Sequence, residues 1–437
     1  MHRFPRYFGG LLLLVVVVVE AMPSQPNTFV FDGVALLDLK RRIANGQSRG
    51  DELKSYGHLI ERANKNMKNG PYSVMTKPTT PPSGDKHDYE SLATYYWPCN
   101  NATFTPAPNC NQTLKPSCDL TTCLPWVGRD GHRNPCGDNF DKVPMDDMIS
   151  TVQILSAAYF FSGNESYAER AALLLRTWFL DASTAMNPNL NFSSIRPGIN
   201  NGSSSGVIDI HDLYIVVESV GLIGDSDAWT TDDQCRLKTT WFREMLRWLI
   251  ETPFGKDANM KRNNHGTWSD VVRSSFALFS DDTVTAKEIA ERVISNRIMT
   301  QIEPNGQMPY EDNRTNAATY SCMNIRALFN LARLASFSGV ELFNYTSKDG
   351  RGIRQAFEYL IPFAVGKQPW PFKEINNNFS WGEMIDLFRR AANAYQYPPY
   401  EEMISQLPSS DVDATGVGLP DEDDKYLTDM LFPKQFY

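Results

Sequence analysis

Histidine is scarce in this sequence, with six in 437 residues. Alternating Val and Ile runs are scarce too, so few strands are expected. Beyond residue 19 no stretch is long and apolar enough to cross a bilayer. No GxSxG elbow, HExxH pair, phosphate loop or dinucleotide fingerprint occurs, which removes the commonest motif-borne chemistries. Basic residues are outnumbered, with 42 Lys and Arg against 51 Asp and Glu, and the net charge is −9. That balance argues against generic nucleic-acid binding, which needs a basic face. It still permits an anionic ligand in a local basic cleft. There is no clean repeat of fixed period, which disfavours a regular solenoid. Nothing resembles an interdomain linker, so residues 22–437 are read as one domain.

What is present points outward from the cell. His2, Arg3 and Arg6 precede an apolar run over 11–19, and Val19, Glu20 and Ala21 fit a small-residue cleavage site. Residues 1–21 therefore read as a signal peptide; the run is short for the alternative, a membrane anchor. Asn-x-Ser/Thr sequons begin at Asn101, Asn111, Asn164, Asn191, Asn201, Asn313, Asn344 and Asn378. Their density suits a secreted protein, N-glycosylated if its source is eukaryotic. Cys99, Cys110, Cys118, Cys123 and Cys136 cluster in a loop at about 99–136, and disulfides are expected to staple it. A metal site is the weaker alternative, since the cluster lacks a CxxC pair and holds only His132. The total of seven is odd. Cys322, in a predicted helix, is the candidate for a free, buried thiol.

Helical periodicity dominates the rest. Leu36, Leu39 and Ile43 mark a first helix ending near Gly46, and a second covers about 51–68. Met148, Val152, Leu155 and Tyr159 recur at helical spacing. Another stripe, Ala171, Leu174, Leu175 and Trp178, starts near Glu165. Further helices are expected at about 209–220, 232–251, 266–280, 284–301, 315–337, 350–364 and 380–396. Two irregular stretches, 70–140 and 187–206, interrupt them. The acidic segment 409–437 is expected to pack loosely. The succession predicts an all-α fold, an (α/α) toroid or incomplete barrel of paired helices, with long irregular loops over its cleft.

Two polar stretches carry the candidate chemistry. The first holds Asn263, Asn264, His265 and Trp268 just ahead of an apolar helix. Asn264 can donate to a substrate carboxylate while His265 accepts a proton; the plainer alternative is a helix cap. The second runs from Asn305 through Gln307, Glu311 and Arg314 to Tyr320. A phenol ionises near pH 10, and a neighbouring cation such as Arg314 or His265 lowers that value. The plainer alternative pairs Arg314 with Glu311 at i,i+3 and leaves Tyr320 in the core. In the long loop, Lys86, His87 and Tyr89, with Tyr95, Tyr96 and Trp97, offer aromatic faces for sugar rings and a cation for a carboxylate. The same loop can equally be packed against the helices. Arg129 sits in a basic turn that includes Asp130. Acidic residues are numerous enough that a glycosidase carboxylate pair stays open.

Taken together, these stretches resemble the alginate-lyase superfamily of polysaccharide lyases, and more closely its secreted glucuronan and mannuronan lyases (polysaccharide lyase family 38). The resemblance runs in order through Asp85 to Tyr89, Tyr96 to Pro98, Arg129 to Gly131, Thr177 to Leu180, Met186 to Leu190, Gly206 to Asp209, Asn263 to Trp268, and Asn305 to Tyr320. It implies a toroid with a cleft for an acidic polysaccharide and a metal-independent β-elimination at a β-1,4-linked uronate, with no cofactor. In that scheme Asn264, His265 and Arg314 neutralise the carboxylate and Tyr320 is the acid; either Tyr320 or His265 is the base. Lys86, His87, Tyr89, Trp97, Arg129, Asn187, Asn263, Trp268, Gln307 and Glu311 are the expected substrate contacts. The Cys-rich insertion departs from the pattern, as do Ser193 and Ser194 where relatives often carry a glutamine. A glycan on Asn313 would crowd the cleft, so that sequon is expected to be unoccupied. A monomer without nucleic-acid or membrane partners is expected. The rivals are a binding protein that has lost catalysis and a helical-toroid glycoside hydrolase.

Overall fold

A computed structural model describes residues 24–98, 120–121, 124–375, 380–408 and 425–435. The expected signal peptide, Cys99, Cys110, Cys118, Cys123 and most of the acidic 409–437 segment lie outside the described residues. Eleven helices shape the part relevant here: α1 (Gly33–Ala44), α2 (Gly50–Asn66), α3 (Lys142–Ser162), α4 (Glu165–Phe179), α5 (Leu213–Leu222), α6 (Asn264–Phe279), α7 (Thr283–Val293), α8 (Ala317–Ser336), α9 (Ile353–Ala364), α10 (Met384–Tyr395) and α11 (Lys425–Leu431).

Their packing is circular. Helix α2 packs on α3, α3 on α5, α5 on α6, α6 on α8, α8 on α10, α10 on α11, and α11 returns to α2. Helices α4, α7 and α9 flank this circuit. The all-α toroid of paired helices is thus the fold observed. Burial explains the order. Every residue of α3 from Thr151 to Phe161, and of α5 from Leu213 to Val220, is buried, so both have neighbours on all sides. The single stripe expected for α3 understates this, because α2, α4 and α5 all cover it. Helix α2 buries only Glu52, Ser55, Leu59 and Ala63, one face at helical spacing.

The expected loose tail is corrected in part. Leu427, Met430 and Leu431 of α11 are buried, at the i, i+3, i+4 spacing of an amphipathic helix. At this joint Ser55 Oγ and Arg389 Nη2 each donate to the Asp429 carboxylate at 2.8 Å, and Phe31 packs edge-on against Phe432. Nearby, Glu218 lies fully buried and accepts from the backbone N–H groups of Phe29, Val30 and Phe31, which fixes the entry of the chain. Cys322 is buried and forms no disulfide, as expected; Cys235 is a free thiol and exposed. Cys136 is disulfide-bonded.

Strands are few and join the long loops. Strand β1 (Glu90–Leu92) lies parallel to β4 (Phe192–Ile195), pairing Glu90 with Phe192. Strand β2 (Tyr96–Trp97) is antiparallel to β3 (Val127–Gly128). Beneath them Lys77 and Asp141, almost wholly buried, form an ion pair at 3.0 Å. Lys77 Nζ also donates to the carbonyls of Val74, Lys86 and Asp88. Burial pushes the Asp141 carboxyl up to about 7, against the pull of Lys77. Lys77→Met should therefore cost about 3–5 kcal/mol, the usual result of stranding one partner of a buried pair. An unfolded aspartate titrates near 4, so the folded state loses stability as pH rises between that value and the folded one. Removing Lys77 widens the interval. Urea midpoints should separate variant from wild type most at pH 8 and least near pH 5.

Candidate active site

The N-terminus of α6 and the segment before α8 are clamped together by one carboxylate. Glu311, fully buried in a short helix at Pro309–Asp312, accepts from Asn264 N at 2.5 Å and from Asn264 Nδ2 at 2.7 Å. The first N–H groups of a helix lack internal partners and attract negative charge. Burial nonetheless raises the Glu311 carboxyl to about 7, with the Asn264 donors and Arg314 opposing. Gly266 permits the approach of chain to chain in the first turn: a Cβ there would lie 2.0 Å from Lys261 O. His265, on the same turn, is only partly exposed. Burial first, then Arg314, Lys261 and His211, push its imidazole down to about 4. It is neutral near pH 7 and can accept a proton.

Arg314 precedes α8, and Tyr320 sits in that helix's first turn. The guanidinium carbon stands 3.7 Å from the centroid of the Tyr320 ring. Its orientation comes from Asp130, which accepts from Arg314 Nε at 3.1 Å and Nη2 at 2.7 Å and from Thr315 Oγ1 at 3.0 Å. Among the described residues Nη1 makes no hydrogen bond and remains available. Burial would raise the Asp130 carboxyl, but Arg314 and Thr315 outweigh it and hold it below the usual range. Gly131 makes this contact possible: its φ is +79°, and a Cβ would meet Thr315 Oγ1 and Ile375 Cδ1 at 2.5 Å.

Tyr320 Oη shares a 2.5 Å hydrogen bond with Tyr95 Oη, so the loop leading into β2 touches the same phenol. The expectation that a cation lowers this phenol is corrected by the packing. Burial is the largest influence and raises it well above 10, Tyr95 adds to the rise, and Arg314 only opposes. At rest Tyr320 holds its proton.

The other expected contacts divide. Trp97 and Arg129 belong to the β2–β3 side of the site: Trp97 pairs with Val127, and Arg129 N donates to Tyr95 O. Both are partly exposed. Lys86, His87 and Asn187 knit loops together. Lys86 Nζ donates to Lys77 O, His87 Nδ1 lies 2.6 Å from Ala185 O, and Asn187 Nδ2 donates to Asp85 and Asp88. Asn263 precedes α6 and accepts from Gly266 N; Gln307 N closes the preceding turn onto Asn305 Oδ1. Three expected contacts are corrected, because they are covered by the fold. Tyr89 is fully buried with its Oη on Asp209. Trp268 is buried against His211 and Tyr214. Glu311 holds Asn264 instead of facing a cleft. Asn264 is itself 1% exposed, and one Nδ2 hydrogen is left for a further acceptor. The i,i+3 pairing of Arg314 with Glu311 gives way to the Asp130 pair.

Sequence reasoning missed Asp130 and His211 as parts of the site, and it offered Tyr95 as an aromatic face for sugar rings, not as the hydrogen-bond partner of Tyr320. His211 Nε2 lies 3.2 Å from Asp212 Oδ2. Its rarity as a residue type and its adjacent carboxylate were the available signals. Among the described residues no group of three His, Cys, Asp or Glu side chains is placed to hold a metal ion.

Comparison with known proteins fits this geometry. Residues 73–370 match a family model described as alginate lyase. A crystal structure of an alginate lyase from Bacteroides ovatus is 31% identical, with a TM-score of 0.80, over 93% of this chain and 99% of that one. Alginate lyase A1-III from Sphingomonas species A1 is 15% identical, with a TM-score of 0.55, over 95% and 98%. A tetrasaccharide complex of a variant of A1-III gives 16% and 0.55, over 96% and 98%. The last two speak for the fold alone. No curated protein matches significantly.

Proposed function

The chain belongs to the alginate lyase family, and on that premise we propose that it cleaves a β-1,4-linked polyuronate, glucuronan or polymannuronate, by β-elimination. As a family member it is a polysaccharide lyase. The observation that carries the mechanism is the Arg314 guanidinium, 3.7 Å from the Tyr320 ring and oriented by Asp130. It joins a carboxylate-binding cation to a proton-bearing phenol.

In the proposed reaction Arg314 Nη1, helped by the remaining Nδ2 hydrogen of Asn264, binds the uronate carboxylate. Charge neutralisation there acidifies the C5 proton. Neutral His265 takes that proton; the C5–H electron pair forms the C4=C5 bond, and the C4–O bond breaks. Tyr320 Oη donates its proton to the leaving oxygen. Afterwards the imidazolium proton returns through solvent to the phenolate. An anionic substrate beside His265 raises its affinity for a proton, bringing it toward the working range. The carboxylates nearest Arg314 do not suit a hydrolase: Glu311 is covered, and Asp130 is in an ion pair.

Secretion belongs to the same proposal. The described sequon residues Asn164, Asn191, Asn201, Asn313 and Asn344 are all exposed. Asn313 adjoins Arg314, and a glycan on its Nδ2 would crowd the cleft, so this sequon should remain unmodified.

The test is ultraviolet absorbance during incubation with glucuronan, polymannuronate and polyguluronate, with a chelator present. Absorbance from a conjugated C4=C5 bond should rise on glucuronan or polymannuronate. New reducing ends at flat absorbance would mean hydrolysis; binding without either would mean a lectin-like protein. His265→Ala decides the base. A rate within tenfold of wild type would transfer the whole proton relay to Tyr320.

A further inference from the structure

A cavity of about 270 Å³ opens toward the opposite end of α8 from Tyr320. Its lining includes Asn330 and Arg333, ten and thirteen residues beyond Tyr320 on that helix, hence about 15–20 Å away along the axis. Helix α10 supplies Arg390, and the segment after α11 supplies Phe432. Phe343 gives it a partly exposed apolar wall, and Glu341 stands at its mouth.

The hydrogen-bonding capacity here is unbalanced. Arg390 Nε is committed to Asp386 and Nη1 to Asn330 Oδ1 at 2.7 Å, while Nη2 has no partner among the described residues. Because Nη1 can only donate, Asn330 must turn its oxygen toward it. Asn330 Nδ2 is consequently buried without a partner, an uncommon state for a covered amide. Arg333 forms no hydrogen bond among the described residues; its nearest carboxylate oxygen, on Asp32, is 3.8 Å away. The acceptors are largely used. Asp32 Oδ1 caps α1, Asp32 Oδ2 accepts from Gln435 Nε2, and Glu341 Oε1 accepts from Phe343 N. Three donor groups are thus left against Glu341 Oε2 and the one remaining lone pair of Asp32 Oδ2, which stands 3.8 Å from Arg333.

From this imbalance we infer that the cavity is a binding site for a single sugar acid, a hexuronate. Its carboxylate takes the donors of Arg333, Arg390 and Asn330, its ring lies against Phe343, and a hydroxyl meets Glu341. The volume lies just under the range of drug-sized pockets, which suits one pyranose. The choice of a uronate rests on the polyuronate reading above; the donor excess does not.

Calorimetric titration with sodium D-glucuronate, and with D-glucose as the neutral control, tests this on wild type, Arg333→Gln, Arg333→Glu and Tyr320→Phe. Glucuronate should bind and glucose should not. Arg333→Gln should weaken binding by about tenfold or more, the loss of a hydrogen bond to a charged group, and Arg333→Glu should abolish it. Tyr320→Phe should bind as wild type does. Unchanged lyase rates in both Arg333 variants would show that the fold is intact. Equal affinity for glucose, equal affinity in Arg333→Gln, loss in Tyr320→Phe, or no binding would each overturn the inference. A protein inert on every polymer that still binds glucuronate through Arg333 would refute the functional reading alone; an active lyase without that binding would refute the cavity alone.

Discussion

Replacing Tyr320 by Phe should slow elimination by about 10²–10⁴-fold, the range for losing a positioned general acid, while the folded state barely changes. The phenol is partly exposed, and its hydroxyl bonds only Tyr95 Oη among the described residues. Its loss therefore strands no buried donor. The ring itself remains under Arg314. Initial rates of absorbance on the preferred polymer, with the denaturation midpoint alongside, check both halves. A variant keeping a tenth of the wild-type rate would show that another group protonates the leaving oxygen. The pH profile provides a second check on the same site. In the free enzyme His265 sits near 4, so its contribution to the acid limb of kcat/KM belongs near pH 4. The limb of kcat belongs higher, because bound substrate favours the imidazolium.

Glu311→Ala should damage stability and rate together. The carboxylate satisfies two donors of Asn264, one on the backbone at the start of α6 and one on the side chain. Leaving two buried donors unmet costs about 2–5 kcal/mol. It also releases Asn264 from the orientation proposed for carboxylate binding, and with it the turn that carries His265. A large fall in kcat is expected, with a lower urea midpoint. Glu311→Gln is the sharper variant: it preserves size but presents an amide to the Asn264 donors, so the rate should fall while most of the packing survives. Wild-type kcat in Glu311→Gln would show that Asn264 needs no such brace.

The extent to which the sequence foretells this molecule depends on how local each feature is. Helices α2, α6, α8 and α10 lie within a few residues of where periodicity puts them, because a 3.6-residue stripe is written in neighbouring side chains. Helix α11 escaped notice because it follows directly on an acidic run and is only seven residues long. In the site, Asn264, His265, Glu311, Arg314 and Tyr320 were legible as two polar stretches flanking apolar helices. The Arg314–Asp130 pair was not, since it spans 184 positions. Nor was the sign of the Tyr320 shift, which depends on how much protein covers the phenol. Tyr89 and Trp268 misled for a related reason: an aromatic residue beside polar ones reads alike whether it faces a sugar or the core.

The closure of the helix circuit through α11 has a consequence for the order of events during synthesis. Ser55 and Asp429 are 374 positions apart, so the joint between α2 and α11 is among the most non-local in the protein, and non-local contacts form late. A chain emerging from the ribosome up to residue 408 already holds Glu311, Arg314 and Tyr320 with all the helices that carry them. It still lacks the segment that packs on α2 and α10. Until residues 425–435 emerge, the apolar faces of those two helices stand open to solvent and to other nascent chains. The hazard in making this protein therefore lies at the seam of the ring, in elements that carry none of the proposed catalytic side chains.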